Sequence, residues 1–182
     1  MKYDLEKMEE HFVKRTEKHI SLVEKWFNKI EEFTKDGDVI KDHDNSKFSE
    51  PELTPYLYIN WSYKNKAEGK EFKVPEHIKE EMNIATIHHI KNNKHHPEYW
   101  DSNFDESKFN FENRDEVPEE IVDARAMPDR YIKEMVADWF AVAEERGTDP
   151  RKWAEKNINK RWKFLPTQKY LIYKIVEEIW EK

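Results

Sequence analysis

Apolar residues recur at helical spacing along most of the chain. From about Asp4 to Phe33, steps of three and four residues place one apolar stripe on a single helix face. The stripe contains Phe12, His19, Leu22, Val23, Trp26 and Ile30. This pattern predicts one long amphipathic helix with a histidine on its buried side.

Similar patterns predict further helices. We expect them to start near His43, to follow Ser49-Glu50-Pro51, and to run from Pro75 to about Lys94, Glu119 to Arg125, Met127 or Pro128 to Arg146, and Pro166 to Lys182. Gly37 and Gly147 each follow a helical pattern and are expected to be C-terminal caps, and Thr148-Asp149-Pro150 is a helix start. Residues 99–117 are polar with scattered Phe, which predicts an irregular excursion across the surface. Without strand alternation, repeats or a linker, the pattern predicts an all-α helical bundle, with residues 1–182 forming one domain.

Composition narrows the classes of function. The chain has 182 residues, 39% of them charged, but its 14% aromatic content with seven Trp predicts a compact core rather than disorder. A net charge of −7 argues against binding to duplex nucleic acid or an anionic membrane. No apolar run approaches the roughly 20 residues of a membrane span, and the N-terminus is charged, so we expect a cytoplasmic protein. An oligomer is compatible with the sequence.

The chain has no cysteine, which excludes disulfides, thiol nucleophiles and zinc thiolates. Any bound metal must therefore be held by histidine and carboxylate groups. Such ligands suit Mn, Fe, Co, Zn or Mg.

Several candidate ligands lie on the predicted inward faces. His19 is either a core histidine bonded to a carbonyl or a ligand. His43 and Asp44 are either capping residues of an acidic loop or an imidazole and carboxylate that reach one ion. Lys47 follows one turn later, where its ammonium can hold a substrate phosphate beside a metal.

The fourth predicted helix adds more histidines. An apolar face there ends in His89, Asn93 and His96, so His89 and His96 point inward if the helix continues that far. If the helix stops at residue 92 or 93, His95 replaces His96. The alternative is a histidine-rich helix end that favours the helix dipole, which suits His89 least.

Asp138 lies on the inward face of the penultimate predicted helix. A carboxylate there is costly to bury unless it is paired or bound to metal. Arg125 and Arg130 are candidate partners for it, or candidate holders of substrate phosphate.

The order of these residues resembles the HD-domain superfamily, which comprises all-helical metal-dependent phosphohydrolases and a smaller group of di-iron oxygenases. The resemblance implies that one ion is held by His19, His43, Asp44 and Asp138. It implies a second ion, as in binuclear members, on His89 and His95 or His96. Lys47 matches a lysine that faces the substrate in several binuclear members. The chain departs from their pattern because its middle and later histidines are only six or seven residues apart.

A closer resemblance is to a small uncharacterised HD-like family of phages and bacteria. It is carried by residues 43–48, by His89, by residues 93–100 and by residues 134–139. Membership implies the cytoplasm of the host if the protein is phage-encoded.

These observations predict a metal-dependent phosphohydrolase with one or two divalent ions. Its expected substrate is a small phosphorylated compound, a nucleotide phosphomonoester or phosphodiester, attacked by metal-activated water. Glu98, next to the histidine pair, is a candidate proton carrier, and Asn93 is a candidate site residue. The alternatives are a di-iron oxygenase of the same fold and a non-catalytic interaction protein with a structural or vestigial site.

Overall fold

The computed structural model describes residues 4–111, 116, 118 and 120–180. Six helices dominate it: α1 (Leu5–Thr34), α2 (Leu53–Ala67), α3 (Glu76–Asn92), α4 (Asp129–Arg146), α5 (Pro150–Asn157) and α6 (Pro166–Ile179). Single 3-10 turns cover Asn45–Phe48, Pro97–Trp100 and Glu106–Lys108. The all-α prediction is confirmed. Within the described residues, no helix combines the length and apolar character needed to cross a bilayer.

Helix α1 is the centre of the packing and contacts α2, α4 and α6. Its side chains contribute to two apolar clusters, one around Phe12 with α2 and α3, and one around Val23 and Phe27 with α4 and α6. His19 lies between Phe12 and Val23 along the same face and is buried. The fold therefore places the side chain of His19 between two apolar clusters.

Most predicted helices are present, and their ends follow local chemistry. Asp4 caps α1, because its carboxylate accepts a hydrogen bond from the Lys7 backbone N–H. Gly147 ends α4 as predicted, in the left-handed conformation with φ 63°. At the end of α1, however, the cap is Lys35, with φ 62°, and Gly37, which also has a positive φ, lies two residues further on.

Two predicted elements need correction. The helix expected near His43 is only the 3-10 turn Asn45–Phe48, because Asp44 has a left-handed backbone that a continuous helix excludes. The helix expected from Glu119 to Arg125 is wrong over the residues described there. Val122–Asp123 is strand β1, paired in parallel with β2 (Trp162–Lys163), because backbone N–H groups of β1 donate to the segment around β2.

The ends of two other predictions fall partly outside the described residues. Helix α6 ends at Ile179 rather than Lys182, and residues 181–182 are not described. The excursion predicted for residues 99–117 contains the last part of one 3-10 turn and all of another. Its residues 112–115 and 117 lie outside the described part, as does residue 119.

Candidate metal centre

The carboxylate of Asp44 lies at the centre of the predicted site and is almost completely buried. Its Oδ2 is 3.8 Å from Nε2 of His19 and 3.8 Å from Nε2 of His43. Its Oδ1 faces the other way, 3.2 Å from Nε2 of His89 and 3.6 Å from Nε2 of His95. The two oxygens of one carboxylate thus face two different groups of histidines.

The first group consists of His19, His43 and Asp138, and each offers a ligand atom within 4.8 Å of the others. Nε2 of His19 is 3.0 Å from Oδ1 of Asp138. Two ligands bound at about 2.1 Å to one ion are at most about 4.2 Å apart. The distances that join His19 to Asp138 and Asp44 meet this limit, so the four residues predicted to hold one ion do come together.

The second group consists of His89, His95 and His96, and His95 also forms a group with His43 and Asp44, its ring centroid lying 4.2 Å from that of His43. Helix α3 ends at Asn92, and Asn93 has an extended backbone, so the chain turns back towards the site. His95 is buried, and its ring centroid lies 4.3 Å from that of His96, which lies 4.8 Å from that of His89. The sequence left open which of His95 and His96 points inward, and the structure brings both rings to the cluster.

Two carboxylates hold the far side of three of these imidazoles. Nδ1 of His43 is 2.9 Å from Oε1 of Glu134, and Nδ1 of His89 is 2.8 Å from Oε2 of Glu52. Nδ1 of His95 is 3.4 Å from the same oxygen of Glu134. A carboxylate on Nδ1 favours the tautomer that leaves the Nε2 lone pair free, which is the usual arrangement around metal-binding histidines.

His19 has the same kind of support, since its Nδ1 lies 3.4 Å from Oε2 of Glu145. Burial lowers the pKa of His19, but its contacts with the carboxylates of Asp138 and Glu145 outweigh this effect and raise the pKa to about 9. In the ion-free protein the imidazolium of His19 therefore neutralises part of the charge of these two carboxylates.

The acidic groups of the site are held in their charged form. Burial raises the pKa of Asp44, yet the opposing effects of Lys47, His43 and His89 hold it well below the usual range. In Asp138 burial is likewise outweighed, mainly by the hydrogen bond to His19, and the pKa is lowered. Both carboxylates are available as anionic ligands at neutral pH.

Among the predicted ligands, three buried polar atoms have no hydrogen-bond partner: Nε2 of His43, Oδ1 of Asp44 and Nε2 of His96. Oε2 of Glu145, behind His19, has none either. An unsatisfied buried polar atom costs about 1–3 kcal/mol, so three of them in one place require an explanation. A lone pair directed at a cation supplies one. The donor set of nitrogen and oxygen atoms without sulfur fits a divalent ion such as Mn, Fe, Co, Zn or Mg.

Lys47 is the cation nearest to the centre. Its Nζ lies 2.5 Å from Oδ2 of Asp44 and 5.2 Å from the ring centroid of Tyr56. Asp44 is followed by the 3-10 turn Asn45–Phe48. This turn places the side chain of Lys47 on the same side as that of Asp44, one turn further along the chain. Lys47 also borders the cavity described next, so its ammonium can contact both Asp44 and a bound ligand.

A cavity of about 590 Å³ opens from the cluster. His19, Lys47, His89 and Asp138 form its inner end, and aromatic side chains that include Trp153 form part of its wall. Ligand cavities for small molecules usually measure about 300–1,000 Å³. The candidate centre is thus accessible to a small molecule.

The remaining predicted site residues divide into two kinds. Asn93 and Glu98 lie close to the centre: Asn93 donates to Oγ of Ser46, and Glu98 borders the cavity but accepts a hydrogen bond from Nε1 of Trp162. Arg125 and Arg130 do not border the cavity.

The two arginines are engaged elsewhere. Arg125 forms an ion pair with Asp123, and Arg130 donates to the backbone oxygen of Val39. The partner of Asp138 is instead His19.

The sequence analysis missed Glu52, Glu134 and Glu145. They are three of 39 acidic residues, and most glutamates in such a chain are solvated. One signal was available, because Glu134 precedes Asp138 by one helical turn and so shares its inward face.

The fold and the cluster together define an all-α protein with buried histidine and aspartate groups that are compatible with a metal site. The chain belongs to a family of unknown function (DUF5662), which it matches over residues 8–179. No curated protein and no solved structure matches it.

Proposed function

We propose that this protein is a metal-dependent phosphohydrolase of the HD type, which acts on a nucleotide phosphomonoester or phosphodiester. The observation that carries the proposal is the position of Asp44. Its Oδ2 faces His19 and His43, its Oδ1 faces His89 and His95, and Lys47 lies beside it. Such an arrangement suits a carboxylate shared between two cations next to a phosphate-binding ammonium.

The predicted ligands would form two ion-binding positions. His19, His43, Asp44 and Asp138 would hold one ion, and Oδ1 of Asp44 with His89 and His95 or His96 would hold another. A divalent cation bound there would supply Lewis acidity, which would lower the pKa of bound water towards about 7 and offset negative charge on a phosphoryl group.

Side chains of the protein would orient both the ligands and the substrate. Glu134 and Glu52 orient the imidazoles of His43 and His89 through Nδ1. Lys47 would donate a hydrogen bond to a phosphoryl oxygen and stabilise the charge that develops on it. Because Glu98 is already bonded to Trp162, we assign it to positioning that indole rather than to proton transfer.

The di-iron oxygenase alternative uses the same ligands, and Lys47 is the observation that favours hydrolysis over it. A lysine ammonium at the inner end of a cavity is suited to an anionic group such as phosphate. Iron content together with oxygen consumption would identify the oxygenase. A structural or vestigial site would bind metal without turnover, or bind no metal.

The test is a screen for phosphate release from nucleotides by protein loaded with Mn, Co or Mg. We expect hydrolysis of at least one nucleotide class, loss of activity after the metal is removed by a chelator, and recovery when it is returned. Activity that persists in the stripped protein would contradict a metal-dependent mechanism. A folded, metal-loaded protein that hydrolyses no nucleotide would contradict the proposed reaction.

A further inference from the structure

A buried carboxylate connects the second histidine group to the protein surface. Glu52 is fully buried, and its Oε2 lies 2.8 Å from Nδ1 of His89. Its other oxygen, Oε1, lies 2.7 Å from Nδ1 of His88, whose side chain is 37% exposed. Two neighbouring histidines of α3 therefore contact opposite oxygens of one carboxylate, one from the metal centre and one from the surface.

The hydrogen bonds of Glu52 have a fixed direction. Burial raises the pKa of Glu52, but hydrogen bonds from His89, His88 and Ser46 outweigh burial and lower the pKa. A charged carboxylate can only accept hydrogen bonds, so Nδ1 of each histidine carries the proton. In His89 this tautomer leaves the lone pair of Nε2 free, 3.2 Å from Oδ1 of Asp44, which is the form that binds a metal ion.

Glu52 also holds the turn that follows Asp44. Oγ of Ser46 donates to Oε2 of Glu52 over 3.0 Å, and Nδ2 of Asn93 donates to Oγ of Ser46 over 2.8 Å. The carboxylate thus connects the start of α2, the 3-10 turn and the end of α3. A rotation of this carboxylate would change the position of the His89 imidazole relative to Asp44.

The contact with His88 opposes such a rotation. Without His88, Oε1 of Glu52 would stay buried and lose this donor, which is unfavourable and promotes any rotation that finds another donor. We propose that His88 is a positioning residue, which holds Glu52 in the orientation that directs Nε2 of His89 to the second of the two ion positions. This inference rests on the proposed function for the existence of that second position.

The first ion position supplies an internal reference. Two of its imidazoles are held by other carboxylates, because His43 contacts Glu134 and His19 contacts Glu145. A residue that acts through Glu52 should therefore change the binding of one ion and leave the binding of the other unchanged.

The test titrates metal-stripped protein with Co²⁺ and follows the binding steps by calorimetry. The variants His89→Gln and Asp138→Asn assign the two steps, because each removes a ligand of one position only. We expect His88→Ala to weaken binding of the second ion about tenfold, the lower end of the effect of removing a partner of a metal-binding histidine, and to leave the first step unchanged. His77→Ala, a change at an exposed residue of the same helix, is the matched control and should leave both steps unchanged.

Two further variants distinguish positioning from a general role in folding. The side-chain amide of His88→Asn can donate to Glu52 from nearly the place of the imidazole Nδ1, so this variant should restore most of the affinity. In a Glu52→Gln background, His88→Ala should cause no further loss, because the carboxylate through which His88 acts is already absent.

Several results would overturn the inference: full affinity for the second ion in His88→Ala, an equal loss for both ions, no recovery in His88→Asn, or a fully additive loss in the Glu52→Gln background. A single binding step in the unmodified protein would also overturn it. Failure of the proposed reaction is distinguishable, because the effects of His88 on ion affinity would then persist in a protein that releases no phosphate.

Discussion

Oε1 of Glu134 lies 2.9 Å from Nδ1 of His43, although 91 positions separate the two residues in the sequence. Burial raises the pKa of Glu134, but hydrogen bonds from His43 and His95 outweigh it and lower the pKa to about 2. The carboxylate therefore stays charged and fixes the orientation of an imidazole from each histidine group.

We expect Glu134→Gln to weaken metal binding by about 10- to 100-fold, because the amide holds Nδ1–H less strongly and leaves both rings less well oriented. Metal affinity is measured by titration of the stripped protein. Glu144→Gln is the matched control, since Glu144 lies on the same helix but bonds Lys25 and Trp26. Unchanged affinity in Glu134→Gln would refute the positioning role.

Lys47→Met should separate metal binding from turnover. The metal content should be retained, because His43 and His89 also favour the charged form of Asp44 and a bound cation would take the place of the ammonium beside its carboxylate. Phosphate release should fall by roughly 100-fold, the usual effect of removing one donor to a developing oxyanion. Lys41→Met, a change at an exposed residue in the same segment, should leave both the metal content and the rate of phosphate release unchanged. A Lys47→Met protein that has lost its metal would show that Lys47 supports the centre and not the substrate.

Lys133 stabilises the segment that leads to His43. It is almost completely buried, and its Nζ contacts carboxylates of Glu31, Asp36 and Asp38. Lys133→Met should lower the free energy of unfolding by about 3 kcal/mol, because it leaves three carboxylates without their common partner.

Urea denaturation measures this loss, with the exposed Lys14→Met as the control. We also expect weaker metal binding in Lys133→Met, since the loop from Asp36 to His43 loses the ion pairs of Asp36 and Asp38 with α4 and keeps the hydrogen bond from Arg130 to the backbone oxygen of Val39. Stability equal to that of the control variant would contradict this role.

Periodicity predicted much of this fold, because long amphipathic helices carry a strong signal. It located His19 and Asp138 on inward faces, and the structure brings them within 3.0 Å of one another. The parallel pair of β1 and β2 was not predictable, because two-residue strands have no period. The helix expected near His43 was wrong because Asp44 has a left-handed backbone conformation. The conformation of one residue is not visible in the sequence pattern.

The candidate site was predictable only in its ligand-type residues. Glu52 is fully buried, but in the sequence it follows Pro51 and resembles an ordinary helix-start acid.

The most direct test of the account is the metal content of the purified protein and of its Asp44→Asn variant, measured by elemental analysis alongside circular dichroism. We predict at least one divalent transition-metal or magnesium ion per chain in the unmodified protein, and little or none in a variant that keeps its helical spectrum. A folded protein that contains no metal and takes up none on titration, or a variant that keeps the full complement, would contradict the account.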